Sequence, residues 1–490
     1  MKIFRQNTTP HWAVSLVPFL VLVASLILVI KAFGADALSG ASQVSLIFAA
    51  GVTVAISMLF YTTSWSTFEK AIIENIKSIA SAIIILLLIG AVAGSWMVSG
   101  VVPTLIYYGM KVITPVIFLF ATCLISALIS LMTGSSWTTI ATIGVALVGI
   151  GTAQGYDPGW TAGAIISGAY FGDKVSPLSD TTVLASSSSG TPLFEHIRYM
   201  MITTVPSFVI ASIVFLVVSL MHKAPDVGMV EGFSASLDST FNISPRLLLV
   251  PVFTGILIAR KVPAIVTLFS ASVIAGVFGL IFQPHIISEI ATGVASDGLG
   301  LSFMEGFKGL FQSYYGSTAI DTGNPDLNEL ISTRGMTGML DTIFLIIAAA
   351  IFGGTLVGSG MLQSLTAALV SIVRNRVSMV ASTVGTGIFV NMITGDQYLS
   401  ILLTSNLYKK LYADRGYESR LLSRSVEDSA TVVSVLIPWN SCGMTQATVL
   451  KVSTLHYLPY CLFNIISPIM SILIAAIGYK IVRKDKQISE

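Results

Sequence analysis

The chain has 490 residues, of which 54% are hydrophobic and only 10% charged, a charge content far below that of soluble domains. That balance excludes an ordinary soluble enzyme or scaffold and indicates a multi-pass protein of the lipid bilayer. The net charge of +2 is too small to neutralise many phosphates, which excludes nucleic acid as a partner.

Lys2 and Arg5 before an apolar run at 12–33, followed by Ala35-Asp36-Ala37, imitate a secretory leader, but the run has the length of a full span and is read as the first transmembrane helix. Further apolar segments follow at 42–62, 78–98, 115–133, 136–151, 160–187 and 199–221. A polar interval with Lys223, Asp226, Glu231 and Asp238 separates a second series, at 246–259, 263–283, 340–360, 377–394, 396–412, 422–450 and 455–479. The parity of the two series points to an internal repeat. Thr133-Gly134 recurs as Thr394-Gly395, Gly155-Tyr156 as Gly416-Tyr417 and Pro177 as Pro438, each pair 261 positions apart. Gly94, Ser99 and Gly100 recur as Gly354, Ser359 and Gly360 at an offset of 260, and Val17-Pro18 as Val250-Pro251. The expected organisation is an N-terminal repeat over 1–235 and a C-terminal repeat over 236–490.

With both termini in the cytoplasm, 18 of the 26 lysines and arginines fall inside and 7 outside, with Lys174 in the membrane, the bias that sets topology. An odd number of crossings per half then places the repeats in opposite orientation, the architecture of alternating access. Segments 115–133 and 136–151 meet at Thr133 to Ser136, and 377–394 meets 396–412 at Thr394-Gly395-Asp396. Each pair is a re-entrant hairpin or two full spans; the short arm from Trp137 to Gly151 favours hairpins, giving ten crossings plus two hairpins. The external interval 284–339 carries Phe303, Phe307, Leu310, Phe311 and Tyr314 on one helical face, as a helix lying at the membrane surface does, and Asn324-Pro325-Asp326 marks a turn after it.

The stretch richest in chemistry is Gly168 to Gly190, GAYFGDKVSPLSDTTVLASSSSG. Pro177 removes an N–H and clashes with the carbonyl of Asp173, so a helix entering there breaks, and Ser179 to Thr182 read as the N-cap of a second half-helix. Asp173, Lys174 and Asp180 surround the break; a membrane helix interrupted beside carboxylates is an ion site by default. The repeat supplies a second break at Pro438, with Asn440 and Ser441 in the capping positions. Two half-helix starts are therefore expected to face each other, with Thr133, Ser135 and Ser136 from one hairpin tip and Thr394 and Asp396 from the other. Ser176, Ser179 and Thr181 add hydroxyls. Hydroxyls, carboxylates and freed carbonyls are hard oxygen ligands, suited to Na+ held at Asp173 and Asp180. Low dielectric disfavours a charged carboxylate, so such a group holds either Na+ or a proton, which is the minimal basis of antiport. Lys174 is the expected counter-charge when the cation is absent. Glu427 and Asp428 are read as partners of Arg424 in a cytoplasmic-end salt bridge, at i, i+3 or i, i+4 spacing.

Phe171 to Thr182, FGDKVSPLSDTT, together with Ile437-Pro438-Trp439-Asn440-Ser441-Cys442-Gly443, closely resembles the NhaC family of Na+/H+ antiporters. The resemblance covers nearly the whole chain and its first motif is specific. It implies secondary antiport of Na+ against H+ across a bacterial inner membrane, and kinship with the wider ion-transporter superfamily, in which paired re-entrant hairpins and unwound helices form the site. Some members look like exchangers coupling Na+ and H+ to malate and lactate, and others like amino-acid transporters. The expected fold is thus an all-α polytopic membrane protein with two inverted-topology repeats, re-entrant hairpins and broken helices. No cofactor is expected, and the reading leaves room for a homodimer.

The alternative is a cation-coupled transporter of a small organic anion or amino acid, its carboxylate bound by half-helix N-termini. No arginine falls in the segments read as core, which disfavours a dicarboxylate, since that would prefer an arginine clamp. An intramembrane aspartyl protease is disfavoured because Tyr170 stands where its second motif needs glycine and Asp157 precedes Pro158 in a loop. Inverted repeats with broken helices favour a carrier over a channel. Cys123, Cys442 and Cys461 form no C-x-x-C pattern and are read as packing residues, and the five histidines are too scattered for a zinc site.

Overall fold

A computed structural model of the chain describes residues 10–33, 40–222, 227–294 and 301–481. Lys2, Arg5, Ala35 to Ala37, Lys223, Asp226, Arg483, Lys484 and Lys486, used above for the leader and orientation arguments, lie outside the described residues. Among those described, an isolated antiparallel bridge joins Thr318 and Thr333 and Tyr417 is a further bridge residue; the rest is helix and connection. Among the described residues nine helices are long and apolar enough to cross a membrane, or up to eleven if each of two bent pairs counts as one span.

The first half contains α1 (Trp12–Phe33), α2 (Ala41–Tyr61), α3 (Trp65–Val98), α4 (Val101–Val112), α5 (Phe118–Thr133), α6 (Ser136–Ala153), α7 (Pro158–Val175), α8 (Asp180–Ser189) and α9 (Leu193–Met221). Then come α10 (Val227–Thr240), α11 (Leu249–Ala259), α12 (Ala264–Phe282), α13 (Pro284–Thr292), α14 (Phe303–Tyr315) and α15 (Pro325–Ile331). The remainder is α16 (Leu340–Gly358), α17 (Met361–Ser371), α18 (Arg376–Thr394), α19 (Gln397–Asp414), α20 (Ser419–Val426), α21 (Ser441–Leu450), α22 (Thr454–Tyr457) and α23 (Leu462–Ile477).

Hydropathy located the lipid-crossing part of each long helix and missed what is short or polar. α3 begins at Trp65 rather than near 78, because Glu69, Lys70, Glu74 and Lys77 stay exposed while Phe68, Asn75 and Ile79 form a buried stripe beneath them. α4 and α17 are too short to span, and both start at a glycine of the 260-residue repeat, Gly100 at φ 78° and Gly360 at φ 73°. α10 runs through residue 235, so the interval between the two series is helical rather than a loop. On α14 the small residues Gly306, Gly309 and Ser313 face the protein, while Phe303, Phe307 and Phe311 are exposed; the aromatic face is thus turned outward, as at a membrane surface.

The repeat is written into the backbone as well as the sequence. Gly134 and Gly395 both take φ 65°, and Gly155 and Gly416 both take φ 73°. Ser130 Oγ donates to the Ala169 carbonyl at 2.5 Å, and 261 residues later Asn391 Nδ2 donates to the Ala430 carbonyl at 2.6 Å. Tight packing is shared too: a Cβ on Gly168 would sit 2.1 Å from the Cys123 carbonyl oxygen, and one on Gly387 would sit 2.4 Å from Ser429 Oγ. Small residues let these helices approach closely, the main source of adhesion where lipid supplies no hydrophobic drive. Cys123, Cys442 and Cys461 are all buried.

Candidate functional site

Both expected breaks exist. α7 stops at Val175, and the backbone N–H of Ser176 donates to the carbonyls of Gly172 and Asp173. The hydroxyl of Thr182 donates to the Lys174 carbonyl at 3.1 Å. The carbonyls freed by Pro177 are therefore engaged within the break. Ser179 is the N-cap of α8, its Oγ accepting from Thr182 N and lying 2.9 Å from Thr181 Oγ1. Ser176 Oγ accepts from Leu178 N at 3.3 Å. At the second break Asn440 caps α21 and also donates to Asn391 Oδ1 at 3.1 Å, while Ser441 N donates to the Gly395 carbonyl at 2.8 Å.

Each break docks on a hairpin tip whose turn requires glycine. A Cβ on Gly134 would meet the Leu178 backbone at 2.7 Å, in a conformation that other residues already disfavour. Ser135 caps α6 through Thr138 N, as Asp396 caps α19 through Leu399 N; Thr133 Oγ1 and Thr394 Oγ1 donate to the carbonyls of Ser135 and Asp396. The halves then cross. α8 packs against α19, and α21 packs against α6, so each broken helix lies on the second arm of the other half's hairpin.

One cavity of about 480 Å³ opens where these pieces meet, lined by Thr133, Ser135, Asp173, Asp180, Gln397 and Tyr398 among others. Asp173 is 5% exposed. Its Oδ2 accepts from Ser136 Oγ at 2.7 Å and from Ser136 N at 3.1 Å, and its Oδ1 has no hydrogen-bond partner. Asp180 is exposed to the cavity, with Oδ1 accepting from Thr181 N and Oδ2 from the Tyr398 hydroxyl at 2.7 Å. Of the expected residues, Thr133, Ser135, Ser136, Asp173 and Asp180 thus gather at one place. Asn440, Ser441, Thr394 and Asp396 build the second break and its tip, away from the cavity wall. Tyr398 and Gln397 were missed; their position, two and one residues past the second hairpin's cap, is the signal that could have found them.

Two expectations are corrected. Lys174 is not the counter-charge of Asp173: its Nζ pairs with Asp428 Oδ1, and it donates to Ser467 Oγ at 3.1 Å, with neither charged group exposed. Consecutive residues on a helix point about 100° apart, so Lys174 faces another wall. The i, i+4 pairing of Arg424 with Asp428 is present, with Nε 4.0 Å from Oδ2, but it is not a solvated bridge at a helix end: Arg424, Glu427 and Asp428 are all fully buried. An arginine therefore does lie in the core. Here the helix opens into a π-turn over Glu427–Thr431, a local widening often found at functional sites.

Asp157 and Asp173 sit at opposite ends of α7, about 24 Å apart at 1.5 Å per residue, and Asp157 caps that helix while meeting His456 at 3.1 Å. They cannot form a protease dyad.

The sequence from 168 to 479 matches the model of the Na+/H+ antiporter family. The chain is 37% identical to the Na(+)/H(+) antiporter NhaC of Alkalihalophilus pseudofirmus, covering 86% of this chain and 87% of that one. It is 35% identical to the Na(+)/H(+) antiporter NhaC of Bacillus subtilis, over 87% and 91% of the two chains. The Malate-2H(+)/Na(+)-lactate antiporter of Bacillus subtilis is 34% identical over 85% of each.

Proposed function

The chain belongs to the Na+/H+ antiporter family, and from that premise we propose that it exchanges Na+ for H+ by alternating access, the cation binding at Asp173 on the cavity wall. The observation that carries the assignment is Asp173 itself: one oxygen is fixed by Ser136, and the other is buried and unpartnered. A buried carboxylate oxygen without a donor is costly unless a cation or proton meets it. Thr133 and Ser135 supply further hard oxygens on the same wall, and Asp180, held by Tyr398, adds negative charge at its mouth. Na+ and H+ then take turns in neutralising the buried carboxylates.

The cavity is also lined by Ser78 and Ser81 of α3 and by Lys261, beside Lys70, Lys77 and Arg260, the basic residues assigned to the cytoplasm, so this conformation is read as inward-facing in the bacterial cytoplasmic membrane. The two repeats, with opposite orientation, are the moving parts: their crossed packing of α8 on α19 and α21 on α6 gives two related arrangements that can exchange roles.

A second reading has a specific observation behind it. The cavity of about 480 Å³ exceeds what a bare Na+ needs; Arg424, although in the core, is not on its wall, so a monocarboxylate or amino acid is favoured over a dicarboxylate. The relative named a Malate-2H(+)/Na(+)-lactate antiporter fits that reading. Purified protein in liposomes with an internal pH dye separates the two. Proton movement driven by Na+ but not choline, and lost in Asp173→Asn, supports exchange at this site; retained exchange in that variant moves the site elsewhere. Silence until lactate, malate or an amino acid is added would establish the second reading.

A further inference from the structure

Behind the cavity lies a cluster that the site at Asp173 does not use. Glu427 is fully buried, and neither of its carboxylate oxygens has a hydrogen-bond partner. The Thr431 hydroxyl, one turn on, faces that carboxylate and has no other partner. Arg424, one turn before, is fully buried with all three guanidinium nitrogens lacking a hydrogen bond, its guanidinium carbon 4.9 Å from the centre of the Tyr199 ring. Glu427 interacts electrostatically with Asp173, Lys174 and Asp428. Lys174 and Asp428 are paired, with Ser467 and Thr203 donating to the same Asp428 oxygen. His196 hydrogen-bonds the Ser423 hydroxyl and faces both Lys174 and Asp428; it is counted neutral, since Asp428 is already paired with Lys174 and a buried imidazolium without a carboxylate of its own is costly.

Buried together are two fixed cations, Lys174 and Arg424, and three carboxylates, Asp173, Glu427 and Asp428; Asp180, which also acts on Asp173, is exposed on the cavity and held by the Tyr398 hydroxyl, so solvent screens it and it stands outside the buried count. One negative charge is in excess, and a buried site tolerates no such excess. One monovalent cation makes it neutral. Asp428 also has an oxygen without a hydrogen bond, Oδ2, but that carboxylate already has Lys174 on Oδ1 and Arg424 Nε 4.0 Å from Oδ2, which leaves Asp173 and Glu427 as the places it can go. Only Asp173 opens on the cavity, where an ion with a hydration shell can arrive. Glu427, in the π-turn, is fully buried and does not line that cavity, so the proton is assigned to it.

We propose that Glu427 carries the counter-transported proton while Asp173 carries the sodium ion, so that the two ions compete through the charge balance of the cluster rather than through one shared carboxylate. This rests on the exchange reading above. When Na+ enters at Asp173, the Glu427 O–H bond breaks and its proton leaves to water, so three carboxylates face Lys174, Arg424 and Na+. When Na+ leaves, Glu427 takes up one proton. One proton therefore moves per sodium ion.

The test uses purified full-length protein in detergent, titrated with NaCl against choline chloride. Na+ binding is followed by tryptophan fluorescence, and proton release by a pH dye in weak buffer. Wild type is expected to release one proton per Na+ bound. Glu427→Gln makes the cluster neutral without any cation, and Na+ binding should weaken at least tenfold. Adding Arg424→Gln restores one excess negative charge, and the double variant should bind Na+ within about threefold of wild type. A merely structural role for Glu427 would not be rescued by removing a second charge. Glu427→Gln that binds Na+ and releases one proton as wild type does, or a double variant no better than the single, overturns the proposal. If the single variant does not purify as a monodisperse protein, the double variant decides alone. Wild type without Na+ binding, or Asp173→Asn with it intact, instead refutes the exchange reading itself.

Discussion

Ser136 is the residue whose removal most directly tests how Asp173 is held. Its hydroxyl donates to Asp173 Oδ2 at 2.7 Å and its backbone N–H to the same oxygen at 3.1 Å. Ser136→Ala deletes the shorter contact and leaves the longer one. A hydrogen bond to a charged group contributes about 1.5–3 kcal/mol, and the surviving N–H argues for the lower end. That figure, about 1.5 kcal/mol, is roughly tenfold in an equilibrium constant. The lost stabilisation applies to the ionised carboxylate, the form that meets Na+. Half-saturation by Na+ should therefore rise roughly tenfold, with the maximal rate little changed, in liposomes carrying an internal pH dye. Ser302→Ala is the control, because Ser302 caps α14 through Glu305 N at 3.2 Å and does not line the cavity; it should lower thermal stability by about 1 kcal/mol and leave half-saturation unchanged. Ser136→Ala with half-saturation within twofold of wild type, or with only its maximal rate reduced, would refute the assignment of Asp173 as an ion ligand held by Ser136.

Three further outcomes are expected. Lys174→Met strands Asp428 in a fully buried site and should cost about 3–5 kcal/mol, whereas Lys174→Met with Asp428→Asn should cost less than the sum of the two singles by more than about 1 kcal/mol; additive losses in detergent melts would deny the pairing. Gly134→Ala puts a Cβ 2.7 Å from the Leu178 backbone and should abolish exchange, while Gly293→Ala, at φ 75° with nothing within 4 Å, should cost about 1–2 kcal/mol and leave exchange intact. Lys451 donates to the carbonyls of Glu329, Leu330 and Ser332, and desolvation lowers its ammonium from 10.5 to about 8. Between those values the unfolded chain binds more protons than the folded one, so this residue makes stability rise with pH; Lys451→Met should flatten that rise in melts taken from pH 7 to 10.

Much of the molecule was legible before any coordinates. Long apolar runs gave the spans, because only an internally hydrogen-bonded helix or a closed barrel crosses lipid. Proline followed by capping residues gave the breaks at Pro177 and Pro438, and fixed-offset glycines gave the repeat; these are properties of a few neighbouring residues. Asp173 was identified for the same reason, as a carboxylate beside a break in an apolar helix.

Which charges meet was not legible, because pairing inside a membrane depends on which helices are neighbours. Lys174 and Asp428 are 254 positions apart and become partners only once α7 and the π-turn at Glu427–Thr431 both pack against α23. Arg424, Glu427 and Asp428 looked like a solvated i, i+4 bridge, since charge spacing on a helix is the same in water and in a core. Burial distinguishes the two cases, and burial is set by the elements stacked around the π-turn. Likewise Tyr398 reaches Asp180 across 218 positions because the second hairpin's arm lies on the first half's broken helix. The sequence by itself determined where helices run and break. Tertiary structure alone decided that two cations and three carboxylates share one buried volume, because a low-dielectric interior couples charges by proximity in space and not by their order along the chain.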